Sequence, residues 1–372
     1  MKLLIDLRSI NYGRSGGIEN YAYYVIDCLK KPDIEIILDV SPFSKSFYTK
    51  KYSSNKNIKI ICDPLLEKLD KLIQTFFPNK FRSLGSRKSW AKKAEVDFVY
   101  CPNHLVKYQH LHLPGIITIH AYLPDDNIKV EKIVAYNANV AKALITSWNY
   151  PYQEFIKAFP QHRHKWHLIP YIAAHNIDAN KQVPVKDLKA KYLLYVSFFS
   201  ERKNHLNLVK AYADALKKKS DIPNLVLTGG GNNDYKQKVK EVIKELNLLN
   251  DVFIFDYLPD EQISYLYHNC YAVIAPTLWE AASGCVLEAT HCGKPVLCSN
   301  VPPLVDFANY FELKMIFFDP LNIADISDKI LEFCNDYESR KNQGEENANK
   351  IRKYDHNYFA KKFNDILNEY TK

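Results

Sequence analysis

Two glutamates, Glu280 and Glu288, stand in the stretch "TLWEAASGCVLEATHCGKPVLCS" (277–299), with seven small or apolar residues between them. Carboxylates accept hydrogen bonds from hydroxyls, so each suits a sugar ring. Ser283 and Gly284 look like a helix start, which sets Glu280 ahead of the helix and Glu288 about one turn inside it. The free N–H groups of such a start hold phosphate well. A diphosphate between two sugars is a nucleotide-sugar, and the spacing fits that ligand. The same pair would also suit an ordinary surface helix, so the rest of the chain has to decide.

Four further stretches could do chemistry at strand ends. In "SERKNHL", Arg202 and Lys203 sit just before a helix, whose positive N-terminal dipole they complement poorly; a diphosphate between them would remove that conflict. In "LTGGGNND", Gly229, Gly230 and Gly231 make either a plain strand-to-helix turn or bare backbone for a phosphate or sugar. This run fits neither the dinucleotide fingerprint nor a Walker loop. Gly16 and Gly17 in "RSGGIENY" allow close backbone approach ahead of a helix, and equally make a turn. His120 ends the apolar run "GIITIH", where an imidazole reaches a ligand as hydrogen-bond donor or base.

The elements that must position these residues are regular. With 372 residues the chain is long enough for two or three domains, and its 47% hydrophobic and 25% charged content is globular. In the second half, apolar runs at 192–199, 224–230, 251–258, 271–276 and 295–299 alternate with helical patterns at 204–219, about 234–247, 260–270 and about 284–292. The helix at 204–219 is expected to bury Leu206, Val209, Ala213 and Leu216. The first half has shorter runs at 2–6, 34–40, 58–61, 96–101, 115–120 and 142–147, with a helix at 18–31. This alternation predicts parallel sheets with helices on both faces. Ligands of such sheets bind beyond the carboxyl ends of the strands. The expected fold class is α/β with two Rossmann-like domains: 1–172, a polar Lys-rich linker at 173–190, and 191–351. An amphipathic helix follows at 352–372, with Tyr358, Phe359, Phe363, Ile366 and Leu367 apolar.

At these residues the sequence resembles the retaining glycosyltransferases of family 4, which have the GT-B fold. The E-x7-E spacing followed by "CGKPVLCS" carries the resemblance, together with "IDLRSINYGRSGGIENY", "VDFVYCPNH", "GIITIHAYLP", "LYVSFFSERKNHLNLVKAY" and "VFIFDYLPDEQISYLYHNCYAVIAP" in order. The resemblance implies two domains facing across a cleft, with the last helix crossing back onto the first. It implies transfer of a sugar, with retention, from a UDP- or GDP-sugar to a hydroxyl of a glycan or lipid-linked glycan, as in bacterial surface polysaccharide synthesis. Glu280 would hold donor-sugar hydroxyls and Glu288 the ribose. Arg202 and Lys203 would neutralise the diphosphate, which backbone at Ser283, Gly284, Cys285 and Val286 would cradle. Gly16 and Gly17 would let a loop close on the donor, and His120 would contact its sugar. No metal or other cofactor is implied, since no DxD-type site stands at a matching position. Three departures stand out: Ala121 where the family often has Asp, Phe198 where it often has Arg, and "EAAS" (280–283) for "EGFG".

The eight cysteines form no CxxC pair and sit in or beside apolar runs, which predicts buried free thiols. No eighteen-residue apolar run occurs, and the charged N-terminal run does not read as a signal peptide, so a cytoplasmic enzyme is expected. The net charge of +8 favours acidic partners. Between Lys68 and Lys93, eight basic residues interleave with Phe76, Phe77, Phe81 and Trp90 against one acid, Asp70. That pattern suits an anionic membrane surface or a packed helix with a solvated basic face. No nucleic-acid module is present. Rival readings are a GT-B nucleotide-sugar epimerase, needing further acid–base groups, and a non-catalytic nucleotide-sugar-binding subunit.

Overall fold

The computed structural model describes residues 1–10, 17–30, 33–62, 95–103, 107–108, 113–120, 128–172, 177–186, 188, 191–281 and 283–371. The chain forms two units, Met1–Tyr171 with His356–Lys372, and Ile172–Asp355.

In the first unit, short runs rich in Ile, Leu and Val make β1 (Lys2–Leu7), β2 (Glu35–Val40), β3 (Ile58–Ile61), β4 (Phe98–Cys101), β5 (Gly115–Thr118), β6 (Ala143–Thr146) and β7 (Trp166–Leu168). All pairs are parallel, in the order β3-β2-β1-β4-β5-β6-β7. Every residue of β4, β5 and β6 is buried, because a parallel sheet has helices on both faces. These helices are α1 (Gly17–Leu29), α2 (Lys45–Tyr52), α3 (Ile128–Val140) and α4 (Asn149–Ala158). Phe155 of α4 stacks on Trp166 at 4.5 Å, within a core that includes Val99, Ile117 and Leu144.

The second unit alternates β8 (Tyr192–Val196), α5 (His205–Lys218), β9 (Asn224–Thr228), α6 (Asn233–Glu245), β10 (Val252–Phe255), α7 (Asp260–Asn269), β11 (Ala272–Ala275), α8 (Gly284–His291), β12 (Val296–Ser299), α9 (Pro302–Tyr310), β13 (Ile316–Phe318), α10 (Ile323–Asn335) and α11 (Tyr337–Ile351). Its parallel sheet runs β10-β9-β8-β11-β12-β13. The last helix, α12 (His356–Thr371), belongs to the first unit. There its fully buried Phe359 and Phe363 meet Tyr24 and Tyr100 edge-on, at 5.2 and 5.0 Å.

Each sheet reverses its direction of growth once, between β1 and β4 and between β8 and β11. A crevice opens at the carboxyl ends of the strands at such a point. The loops that carry Arg202 with Lys203 and Glu280 leave β8 and β11, so they flank the reversal of the second sheet.

Three expectations change. The buried face of α5 is centred on Leu208, Val209, Tyr212 and Ala215, while Leu206 and Leu216 are only half-buried. The helix is covered by α6 and α10 as well as by the sheet, which widens and turns its apolar stripe. The polar stretch 173–190 is not a free connector where described. Val183 N–H donates to Glu261 O at 3.1 Å, and Ser264 Oγ to Asp178 O at 2.8 Å, so it lies along α7 of the second unit. The periodicity also overlooked short elements such as β7 and β13, three residues each.

Candidate active site

The loop after β8 is fixed through its carbonyls and one asparagine. Arg202 O accepts from Leu278 N–H at 2.9 Å and from the Thr277 hydroxyl at 3.3 Å. Lys203 O accepts from the Tyr195 hydroxyl at 3.1 Å. Asn204 is buried in the left-handed region at φ 60°, which Asn tolerates better than most residues. Its amide donates to Pro276 O at 3.0 Å and Pro320 O at 2.8 Å, tying the loops after β8, β11 and β13 together.

This scaffold brings two cations and one carboxylate into contact. Arg202 Nη1 donates to Trp279 O at 2.6 Å and to Glu280 Oε2 at 3.2 Å. Lys203 Nζ donates to the other oxygen, Oε1. Glu280 is buried and Lys203 nearly so, while the Arg202 side chain remains 46% exposed. A buried carboxylate paired on both oxygens is compatible with the protein interior, whereas an unpaired one would not be.

Helix α8 begins beside this cluster in sequence. Its N-cap, Ser283, is extended, and its hydroxyl lies 3.3 Å from Cys285 Sγ instead of capping the helix. In contrast, α6 and α10 are capped by Asn232 and Asn322 side chains. The first N–H groups of α8 therefore keep their capacity for an anion. A Cβ added at Gly284 would meet nothing within 4 Å. Val286 and Cys285 are buried, and burial pushes the Cys285 thiol up to about 11, so it is no nucleophile. Glu288 is half-buried inside the helix. Burial raises its carboxyl to about 7, against the opposing effect of the Tyr267 hydroxyl.

The glycine run divides in two. Gly229 and Gly231 have φ of 144° and 139°, and an added Cβ would lie 2.2 Å from Ser197 O and 2.4 Å from Phe199 N respectively. Both are needed for the close packing of two neighbouring loops, a requirement separate from any ligand contact through the Gly229 backbone. Gly230 has no such constraint; its nearest neighbour is the Phe198 ring at 3.6 Å. Phe198 itself is 65% exposed.

In the first unit, Gly16 lies outside the described residues, as do Ala121 and the basic segment 68–93. Gly17 opens α1, and an added Cβ there would meet no atom within 4 Å. His120 stands two residues beyond β5. Its Nε2 lies 2.8 Å from Pro102 O, which makes it the donor and leaves Nδ1 the acceptor side. Burial lowers its pKa to about 4, so the ring is neutral at physiological pH.

The family model described as Glycosyl transferases group 1 matches residues 176–350, the span of every second-unit residue above. The match lies within the second unit, and the chain is a glycosyltransferase. It is 27% identical to O-antigen chain mannosyltransferase B of Escherichia coli over 273 residues, which is 67% of this chain and 68% of that one. It is 30% identical over 115 residues to a diphospho-undecaprenol 4-alpha-N-acetylgalactosaminyltransferase of Campylobacter jejuni, covering 30% and 29% of the two chains. Anabaena HepE, solved with UDP and glucose, superposes with a TM-score of 0.72 at 15% identity over 99% of this chain and 100% of its own. Sucrose-phosphate synthase of Thermosynechococcus elongatus does so at 0.72 and 16%, over 100% and 99%. Both likenesses show the GT-B fold.

Some residues that build the candidate site escaped the sequence reading. Asn204 is one; an Asn between two helical turns is a usable signal for the left-handed conformation. Lys236 is another. It is buried, pairs with Asp256, donates to Gly229 O at 3.3 Å and lies 4.6 Å over the Phe199 ring, pinning the glycine loop from below. Nothing in the local sequence marks it, since it is one lysine among several on α6.

Proposed function

We propose that this glycosyltransferase moves a sugar, with retention, from a UDP- or GDP-sugar to a hydroxyl of a glycan or lipid-linked glycan. The observation that carries the reading is the juxtaposition of Arg202, Lys203 and Glu280 at the reversal of the second sheet, with an uncapped helix start following at Gly284. The relatives point the same way: one is named for O-antigen chain mannosyl transfer, another for a diphospho-undecaprenol acceptor.

In this reading the bond from the anomeric carbon to the β-phosphate oxygen breaks, and a bond to the acceptor oxygen forms on the same face. The acceptor's proton passes to the departing phosphate oxygen. Arg202, Lys203 and the N–H groups from Gly284 to Val286 hold the developing charge, the kind of preorganised stabilisation that dominates many enzymes. Glu280 accepts hydrogen bonds from sugar hydroxyls and Glu288 from the ribose. His120, being neutral, offers a hydrogen bond and not a charge. With two fixed cations at the phosphates, no metal is required, so EDTA should leave the rate unchanged.

The test is turnover with a donor identified from a nucleotide-sugar panel, with the product's anomeric configuration read by NMR. Glu280→Ala should lose about a hundredfold or more in kcat. Near-normal turnover in that variant, or an inverted product, would contradict the reading. No helix among the described residues is long and apolar enough to cross a membrane.

A further inference from the structure

Glu280 occupies the same two cations that a diphosphate would need. Arg202 and Lys203 each contact one of its oxygens, and among the described residues no other carboxylate is ion-paired to either cation. The cluster therefore carries one net positive charge: two cations less one carboxylate. A diphosphate arriving there meets a buried negative charge along with the two positive ones.

We infer that Glu280 is a displaceable counter-ion, and that it makes the site select a nucleotide-sugar over the free nucleoside diphosphate left after transfer. This rests on the donor reading above. The carboxylate must surrender some of its contact with Arg202 and Lys203 when phosphate binds. Sugar hydroxyls replace that contact by donating to Glu280, as backbone and hydroxyl donors satisfy carboxylates elsewhere. The diphosphate of a sugar nucleotide is a diester carrying about two negative charges. Once the sugar has gone, the terminal phosphate gains up to one more charge, and no hydroxyl remains to compensate Glu280. Repulsion between the carboxylate and the product phosphate follows, and it promotes release.

The geometry supports a local exchange in place of a rearrangement. The backbone of Arg202 and Lys203 is held by Leu278, Thr277 and Tyr195, so only side-chain ends need move. Arg202, 46% exposed, reaches solvent already. Its guanidinium also keeps the Trp279 carbonyl as a second partner at 2.6 Å while it turns from the carboxylate.

The experiment is calorimetric titration of inorganic pyrophosphate into the full-length wild type, Glu280→Gln and Lys203→Gln. Glu280→Gln keeps the shape and removes the charge. It should bind pyrophosphate about tenfold more tightly than wild type at low salt, a gain that shrinks as salt screens it. Glu280→Asp, which keeps the charge but draws it back, serves if the Gln variant does not fold, and should show a smaller gain of the same sign. Equal or weaker pyrophosphate binding by both folded variants overturns the exchange while leaving the diphosphate site standing, provided Lys203→Gln binds more weakly than wild type. If Lys203→Gln matches wild type, the diphosphate site itself fails and the exchange falls with it.

Discussion

Arg8 leaves the carboxyl end of β1 much as Arg202 and Lys203 follow that of β8, and both strands flank the point where their sheet reverses. Their surroundings differ. Arg8 is bound by Asp6 through Nε at 2.7 Å and through Nη2, and by Asp39 of the neighbouring strand at 3.3 Å, with all three side chains less than a fifth exposed. Among the described residues that cluster sets one cation against two carboxylates. Arg202 and Lys203 face one carboxylate, Glu280, and leave theirs net positive. The same position thus holds a cation between two carboxylates in one unit and two cations on one carboxylate in the other. Position at a sheet reversal offers a crevice, and the charged side chains placed there differ between the two units.

Removing either cation should separate the two roles. Arg8→Met takes an ion-pair partner from two mostly buried carboxylates and should lower stability by about 3 kcal/mol in urea unfolding. Nucleotide affinity per folded molecule should not change. Lys203→Met should do the reverse in kind, lowering kcat by about a hundred- to a thousandfold, roughly 3–4 kcal/mol of barrier. A loss of nucleotide binding in Arg8→Met equal to that in Lys203→Met would erase the contrast.

Glu288 gives a pH test of the second unit. Its carboxyl is raised from an ordinary value near 4.5 to about 7. Its contribution to stability is therefore full below about pH 4.5 and lost as pH rises through 7. Glu288→Gln should be more stable than wild type at pH 8 by up to about 3 kcal/mol, with the gap closing at pH 4.5. Donor affinity should run the other way, rising from pH 6 to pH 8 as the carboxylate forms, and Glu288→Gln should flatten that rise. His205, buried against Phe199 at 4.3 Å and held near pKa 3 by burial, has the opposite stability trend. Its contribution is present above about pH 6.5 and fades as pH falls toward 3, so His205→Phe should gain about 2 kcal/mol at pH 5. The smallest effect concerns the glycines. Gly230→Ala should cost under about 1 kcal/mol of stability, whereas Gly229→Ala should cost clearly more, because its Cβ meets the Ser197 carbonyl.

Much of this was legible in the sequence, for physical reasons. A strand period followed by a helix start placed Glu280 and Glu288 on either side of the start of α8, and the apolar runs of a doubly covered sheet stood out. What could not be read was partnership across the sheet. Glu280 meets Arg202 and Lys203 more than seventy residues away because β11 lies beside β8, and strand order is a tertiary property. The glycine run was only partly legible for a similar reason: its sequence shows missing side chains, and only the adjacent loop shows that Gly229 and Gly231 are needed for packing. His120 looked available, but its Nε2 belongs to a carbonyl eighteen residues earlier.

The central claim is that Arg202 and Lys203 receive the diphosphate of a nucleotide-sugar. Thermal unfolding of the wild type and Lys203→Met against a panel of uridine and guanosine diphosphate sugars tests it most directly. A ligand at a hundred times its Kd stabilises the folded state by about 2.7 kcal/mol. At least one donor should therefore raise the wild-type melting temperature by several degrees and leave Lys203→Met nearly unmoved. No shift with any member of the panel, or equal shifts in both proteins, would contradict the account.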